Sequence, residues 1–311
     1  MKIEWDDIRL IRIQKFNSVI YYIARIVPAY SCNFKCNTAQ IHQLSGIFVQ
    51  YRANIGGGIG VLTAERRQYI LSVLQRDGRI IAREISEELN ISEDTIRRDL
   101  RDLATENLLL RVHGGALPCS PAAASFAARQ EQAPTAKLAI ARAAARLVRR
   151  GQVVFFDGGT TNLLVAQQLP HDLEATIITN SPPVSTALAE HPNIEVIQLG
   201  GRLIKHSIVT SGAATVEALR MVRADLYMLG ICSLHPDIGI STNHLEEAYT
   251  KREMIARSAE VVALASPEKL NTATPYIVGP LSELTDLITE RSVSDDILKP
   301  YRTLGINVIC V

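Results

Sequence analysis

The sequence predicts an α/β protein in which a small helical domain precedes a larger domain built on a mainly parallel sheet. Two patterns carry this prediction. Residues 63–112 contain three short amphipathic segments, a tight turn between the second and the third, and a strand after them. From Lys137 onwards, apolar runs of strand length alternate with helical segments, which is typical of a parallel sheet covered by helices. The 311 residues are enough for two such cores.

The first domain is predicted to span residues 62–117 and to begin with a capped helix at Thr63. Asp77-Gly78 ends that helix, and a second one covers Ala82–Leu89. Asn90-Ile91 then forms a tight turn. This spacing of two helices around a short turn is that of a helix–turn–helix.

The third helix begins at Ser92, whose hydroxyl is suited to accept a free amide of the first turn. Its apolar residues recur at helical spacing, and its arginines fall mostly off that stripe. The apolar stripe consists of Ile96, Leu100 and Leu103, and the arginines are Arg97, Arg98 and Arg101. A short helix with a buried seam and an arginine-rich face suits the major groove of DNA.

A strand over Leu108–Val112 and a glycine turn at His113-Gly114-Gly115 follow the third helix. A strand and turn in this place predict a wing that lies against the DNA backbone or minor groove. Residues 63–118 hold nine arginines, no lysine and ten acidic residues, so the domain is close to neutral. The DNA hypothesis therefore depends on where the arginines lie and not on net charge.

The remaining chain is predicted to consist of a linker over residues 118–136 and an effector domain over residues 137–311. The linker contains three prolines and one helical turn near Phe126–Gln130. Strands are predicted at 153–156, 175–179, 194–199, 226–229, 261–265, 276–278, 287–289 and 306–310. Helices are predicted at 137–149, 161–169, 184–190, 213–221, 245–258 and 294–304.

Four loops at the carboxyl ends of these strands carry groups that suit an anion. They are Asp157–Thr161, Thr179–Ser181, Gly200–Arg202 and Gly230–Ser233. Ligands bind at this edge of parallel sheets, and glycines before a helix let backbone amides approach a phosphate. Any one of these loops is consistent with an ordinary strand-to-helix turn, whereas the four together favour a small phosphorylated ligand.

The segment Thr95–Leu100 followed by Arg111–Ala116 resembles the N-terminal signature of DeoR-type bacterial transcriptional repressors. The resemblance implies a winged helix–turn–helix whose third helix lies in the major groove of double-stranded operator DNA. It implies a structural role for Asp99, as the partner of an arginine or an amide. The residues that it implies at the DNA are Ser92, Thr95, Arg97, Arg98, Arg101, His113 and Gly114.

The second domain resembles the effector domain of the same family, which is related in fold to ribose-5-phosphate isomerase and glucosamine-6-phosphate deaminase. The resemblance lies in Asp157-Gly158-Gly159-Thr160-Thr161, Thr179-Asn180-Ser181, Gly200-Gly201, Gly239, Lys251 and Lys269. It implies a phosphorylated sugar held by Gly159, Thr160 and Thr161, with Asn180 at a sugar hydroxyl and Lys251 or Lys269 adding charge. Asp157, Gly158, Gly200 and Gly201 complete the predicted effector site.

Three segments depart from the family pattern. Ser266 stands where the family often has an aspartate, Thr289-Glu290 replaces a Thr-Asp pair, and Ile231–Pro236 replaces an acidic piece. These departures leave the phosphate loop intact and fall on the expected sugar contacts.

The sequence thus predicts a repressor of a carbohydrate operon that binds DNA as a dimer or tetramer and is released by a phosphorylated sugar. No catalytic residue, cofactor or metal is predicted. The alternative is a sugar-phosphate isomerase or deaminase fused to a DNA-binding domain, which would need a general base. Asp157 and Asp237 are the acids in or near these loops, and neither lies in an acidic cluster of the kind those enzymes use.

Composition adds little about partners but bears on location. The net charge of +1 argues neither for nor against an acidic partner. The five cysteines (Cys32, Cys36, Cys119, Cys232 and Cys310) are odd in number and scattered, which fits a reducing cytoplasm better than a disulfide framework. No segment is long and apolar enough to span a bilayer. We therefore expect a cytoplasmic, nucleoid-associated protein with no membrane contact.

Residues 1–60 are predicted to be an extension outside both domains. Cys32 and Cys36 lack the further ligands of an iron–sulfur or zinc site, although His42 lies nearby, and Arg25 interrupts a signal-peptide core. The alternative is a mis-assigned start. Gly56–Gly58 lies just upstream of Val61, and translation would begin at Val61 if its codon were GTG.

Overall fold

The computed structural model describes residues 62–120 and 124–311. The prediction for residues 1–60 lies outside the described residues. In the first domain, helix α1 (Thr63–Asp77), strand β1 (Ile80–Ile81), helix α2 (Ala82–Leu89) and helix α3 (Glu93–Thr105) follow one another. Strands β2 (Leu110–Val112) and β3 (Gly115–Leu117) complete it, and β3 pairs antiparallel with both β1 and β2. The winged helix–turn–helix prediction is confirmed.

The turns of this domain lie where its residues favour them. Gly78 ends α1 with a φ of 70°, and Asn90 ends α2 with a φ of 51°, both in the left-handed region that glycine and asparagine tolerate. The Ser92 hydroxyl accepts the Thr95 amide at 3.3 Å and caps α3. The expected cap on α1 was wrong, because Leu62 precedes that helix and no side chain caps it.

The second domain is built on a seven-stranded parallel sheet. Its strands are β4 (Val153–Phe156), β5 (Ala175–Thr179), β6 (Ile194–Gln198), β9 (Ala224–Gly230), β12 (Ser258–Leu264), β14 (Asp286–Thr289) and β15 (Asn307–Cys310). They lie in the order β15-β14-β12-β9-β4-β5-β6. All six neighbouring pairs are parallel. The predicted fold class is therefore confirmed.

Helices cover the sheet, and successive strand residues pack on opposite faces. Phe155 belongs to one apolar core, whereas Val154 and Phe156 belong to the other, as the period of two in a strand requires. This explains why the central strands are apolar throughout. The helices are α5 (Pro134–Ala145), α6 (Thr160–Gln167), α7 (Pro182–Leu188), α8 (Ala213–Arg220), α9 (Leu245–Ala256) and α10 (Asp295–Thr303).

Five short strands stand apart from the parallel sheet. Strands β7 (Arg202–Ile204) and β8 (Val209–Ser211) form an antiparallel hairpin. Strands β10 (Ser233–His235), β11 (Gly239–Thr242) and β13 (Tyr276–Gly279) form a small antiparallel sheet. The sequence predicted β13 but not the other four, and these bring further residues to the carboxyl end of the parallel sheet.

The described part of the linker packs on the second domain. Ser120 Oγ donates to the Cys232 carbonyl at 2.5 Å. Helix α4 (Phe126–Gln130) confirms the predicted helical turn, and the buried Phe126 donates its amide to the His206 carbonyl at 3.2 Å. Among the described helices, none combines the length and apolar character needed to cross a membrane.

Candidate functional site

The arginine face of α3 is open to solvent. Arg97, Arg98 and Arg101 are exposed, while Ile96 and Leu100 on the opposite side are buried. Glu93 holds Arg97 through an ion pair of 2.7 Å one turn away. Because this pair is exposed, DNA phosphates or bases can replace the carboxylate at little cost.

The start of α3 adds two hydroxyl groups to the same surface. The Ser92 and Thr95 hydroxyls lie 2.9 Å apart and are hydrogen-bonded to each other. Ser92 is exposed and Thr95 is half-buried. Residues at this end of a recognition helix are those that reach base edges in helix–turn–helix proteins.

A groove separates α3 from the wing. It is lined by Arg97 and Leu100 on the helix and by Arg111, Val112, His113, Gly114 and Gly115 on the wing, with Ala82 at its end. Gly114 has a φ of 78° and forms the exposed tip of the turn with His113. Arg111 was not among the residues predicted to face DNA, although an arginine next to the wing turn was a usable signal.

Asp99 is buried and joins α3 to α1. It accepts hydrogen bonds from Arg66 Nε and from Arg67 Nε, the latter at 3.4 Å. Arg67 also bridges to Asp102. These contacts agree with the structural role expected for Asp99, and they fix the angle at which α3 is presented.

A small cavity of about 30 Å³ lies where β4 and β9 end and α6 begins. Seven predicted effector residues line it: Asp157, Gly158, Gly159, Thr160, Thr161, Lys251 and Lys269. Gly159 precedes α6 with a φ of 117°, which favours glycine. Gly230 packs its backbone against the Gly158 carbonyl so closely that a Cβ atom would overlap it. The first amides of α6 thus lie at the cavity, where an anion is favoured.

Asp157 anchors the cavity wall. Its carboxylate forms a buried ion pair with Lys251 and accepts the Tyr227 hydroxyl and the Gly230 amide, both at 3.1 Å. The Gly158 amide donates to its other oxygen at 2.7 Å. Burial alone would lower the pKa of Lys251, but the Asp157 carboxylate, together with Cys232 and Glu247, raises that pKa above its ordinary value. Lys251 is therefore a charged group whose charge Asp157 already balances.

Two other cations line the cavity. Arg129 and Lys269 are 8% exposed, and neither forms an ion pair with a described residue. Burial is the main cause that lowers the pKa of Lys269 to about 8; Cys232 and Glu268 oppose this shift, and Lys137 and Arg129 add to it. An anion bound here would stabilise both charges.

Three buried polar atoms at the same cavity have no hydrogen-bond partner among the described residues. They are Arg129 Nε, Thr161 Oγ1 and Asn162 Oδ1. Buried polar groups are rarely left unsatisfied in folded proteins. Their grouping around one cavity points to a polar ligand.

Three predicted effector residues lie outside the cavity lining. Asn180 donates to the Thr210 carbonyl at 3.1 Å, and the Gly200 carbonyl accepts the Thr215 hydroxyl at 2.6 Å. Gly201 has a φ of 145° and packs against the backbone of Ser211. In the structure these residues support the β7–β8 hairpin.

The cavity also contains residues that the sequence analysis did not select. They include Arg129, Asn162, His206, Ser207, Asn243, His244 and Glu247. The Glu247 carboxylate accepts hydrogen bonds from Ser207 and, at 3.2 Å, from Thr242. His206 and Ser207 belong to the unpredicted β7–β8 turn, so no linear motif pointed to them.

Comparison with known protein families agrees with this geometry. The family model "DeoR-like helix-turn-helix domain" matches residues 66–122, and the model "DeoR C terminal sensor domain" matches residues 132–291. The chain is thus a DNA-binding transcriptional regulator with a sensor domain. It belongs to the DeoR family.

Curated relatives resemble the chain over most of its length. The HTH-type transcriptional regulator GlpR of Haloferax volcanii is 33% identical over 252 residues, which is 80% of this chain and 98% of the relative. The HTH-type transcriptional repressor GlcR of Bacillus subtilis is 33% identical and covers 73% of this chain and 88% of its own. The glycerol-3-phosphate regulon repressor of Escherichia coli is 30% identical, with 73% and 90% covered.

Solved structures show weaker similarity. The sorbitol operon regulator SorC from Klebsiella pneumoniae is 14% identical, covers 78% of this chain and 98% of its own, and has a TM-score of 0.38. Ribose 5-phosphate isomerase A from Methanocaldococcus jannaschii is 16% identical, covers 43% and 52%, and has a TM-score of 0.32.

Proposed function

We propose that this regulator represses a carbohydrate-utilisation operon and leaves its operator when a phosphorylated sugar occupies the cavity. The observation that carries the proposal is the glycine loop before α6, which brings helix amides and the unpartnered Thr161 hydroxyl to one cavity. The repressor names of relatives such as GlcR support the direction of control.

The operator would be read by α3 and contacted by the wing. Arg97, Arg98 and Arg101 supply donors for base edges and phosphates, and Ser92 and Thr95 supply hydroxyls. His113 and Gly114 at the wing turn would meet the backbone or minor groove. A homo-oligomer is proposed because paired recognition helices bind paired half-sites.

The cavity favours binding over catalysis. Asp157 accepts hydrogen bonds from Lys251, Tyr227 and two amides, so both of its oxygens are engaged within the protein. Asp237 does not line the cavity. We therefore propose that the protein is not an enzyme. Incubation with pentose and hexose phosphates should leave each of these sugars unchanged.

The test replaces the two hydroxyl groups of the phosphate loop. The double variant T160V/T161V should lose the thermal shift that a panel of sugar phosphates gives the native protein, because valine removes both donors without changing size much. Its affinity for DNA should stay the same. T303V, at an exposed helix position, serves as the control. A double variant that still responds normally would show the phosphate assignment to be wrong.

A further inference from the structure

Helix α4 carries a buried arginine from the linker into the effector cavity. Ser125 caps this helix through a hydrogen bond of 3.3 Å to the Ala128 amide, and Phe126 anchors it on the second domain. On the next turn, Arg129 lines the cavity beside the glycine loop. The cavity is thus formed partly by the segment that leads to the DNA-binding domain.

The Arg129 side chain lacks the partner that a buried guanidinium needs. Its Nε atom is buried and has no acceptor in the part of the chain that the structure describes, and the guanidinium Nη2 donates to the His206 carbonyl at 3.5 Å. The guanidinium carbon lies 5.8 Å from the centre of the Phe126 ring. A buried cation without a carboxylate is costly, and a planar guanidinium is well suited to two oxygens of a phosphate.

Charge at the cavity favours an anion. Three cations line it, Arg129, Lys251 and Lys269, against the two carboxylates of Asp157 and Glu247, and Asp157 pairs with Lys251. A phosphate monoester carries nearly two negative charges at neutral pH. The unpartnered Thr161 hydroxyl beside these cations can donate to a third oxygen.

The linker is tied to the second domain on both sides of α4. Lys137 on α5 is buried and donates to the Arg129 carbonyl. Upstream of α4, the Ser120 hydroxyl donates to the Cys232 carbonyl. Cys119, which lies two residues after the end of wing strand β3 at Leu117, forms an isolated parallel β-bridge with Ala273. A ligand that binds the Arg129 side chain therefore contacts the same short segment that follows the wing.

We propose that Arg129 is an effector-binding residue supplied by the linker, which binds the phosphate group together with Lys269 and the α6 loop. Occupancy of the cavity then orders α4 and is transmitted along the linker to the winged domain. This inference rests on the proposed function, since it takes the same phosphorylated ligand, and it adds a residue outside the phosphate loop.

The test uses the full chain with inorganic phosphate and glycerol 3-phosphate as probes. Calorimetric titration should show at least tenfold weaker binding of both probes to R129Q than to the native protein. R142Q, which removes an exposed arginine of α5, should bind within twofold of the native protein. R129K, which keeps the charge but not the planar fork, should fall between them.

A second measurement does not depend on any variant. In the native protein, saturating glycerol 3-phosphate should slow hydrogen–deuterium exchange in peptides that cover residues 124–130 as well as at the start of α6. Circular dichroism and the melting temperature without probe establish that R129Q and R129K are folded.

The outcomes separate the two proposals. In one outcome, the probes protect α6 from exchange and T160V/T161V binds them more weakly, but R129Q binds them normally or residues 124–130 show no protection. The role of Arg129 is then wrong and the proposed function stands. If neither the probes nor the sugar-phosphate panel binds the native protein, the proposed function fails, and the inference fails with it.

Discussion

Two lysines at the effector cavity show how neighbours decide what a residue can do. Lys251 lies against Asp157, and its pKa is raised above the ordinary value. Lys269 has no ion-pair partner within residues 62–120 and 124–311, and burial lowers its pKa to about 8. The sequence could not distinguish them, because both were simply lysines that matched the family pattern. Only Lys269 has charge left for a ligand.

The Lys269 pKa predicts how stability depends on pH in the protein without ligand. The folded pKa of about 8 lies below the ordinary 10.5, so between these values the unfolded chain binds a proton that the folded chain does not. Stability from this group therefore rises with pH from about 8 to about 10.5, by roughly 3 kcal/mol. Urea unfolding of the native protein and K269M at pH 7 to 10 measures the difference. A pH-independent difference would contradict the prediction.

Asp99 provides a second prediction at the scale of one residue. D99N removes the buried carboxylate that Arg66 and Arg67 share, and breaking a buried pair costs about 3–5 kcal/mol. The matched change D102N removes an exposed partner of Arg67 and should cost about 0–1 kcal/mol. Urea unfolding followed by circular dichroism compares them, and equal losses would rule out a special role for Asp99.

At the scale of elements, strong local signals made much of the fold predictable. The bounds of α2 were predicted as found, because Ile85 and Leu89 repeat at helical spacing and Asn90 ends the helix in the left-handed region. The buried strands were found as apolar runs. The β7–β8 and β10–β11 hairpins were missed because their three- and four-residue strands mix polar and apolar residues and are fixed by pairing partners.

The same reason explains which parts of the candidate site were missed. The Asp157–Thr161 loop is one contiguous segment between a strand and a helix, so the sequence predicted it. Arg129 and His206 come from the linker and from an unpredicted hairpin, and only the tertiary structure brings them to that loop. Conversely, Gly200 and Gly201 follow β6 as predicted, but packing turns them towards the hairpin.

The wing gives a prediction at this scale, because its two glycines are required for different reasons. Gly114 has a φ of 78° and open space around its Cα, so G114A should cost about 1–2 kcal/mol in backbone strain. Gly115 lies against the Ile80 carbonyl, so the methyl group of G115A would separate β3 from β1. We expect this overpacking to cost about 1–3 kcal/mol. Thermal unfolding ranks the two variants. Equal destabilisation would show that the β1–β3 contact does not hold the wing.

On the scale of the whole molecule, the chain joins a nearly neutral DNA-binding domain to a sensor domain through a short linker. Burial lowers the pKa of His235 in the second domain, Asp237 opposes this shift, and the charge of Arg79, just before β1, adds to it. The proposed release from DNA requires that binding at the two sites be coupled through two arrangements of one molecule.

Such coupling must be reciprocal, and this gives the last prediction. If a sugar phosphate lowers DNA affinity by some factor, bound DNA must lower sugar-phosphate affinity by the same factor, for which roughly 5–150-fold is typical. We expect this equality for a duplex that the protein selects from a random library and the sugar phosphate that gives the largest thermal shift. Fluorescence anisotropy measures DNA binding with and without ligand, and calorimetry measures ligand binding with and without saturating DNA. The T160V/T161V variant, which should not bind the sugar phosphate, shows how much DNA affinity changes through the ionic strength that the ligand adds. A sugar phosphate that displaces DNA but binds equally well to free and DNA-bound protein would refute release by coupled binding.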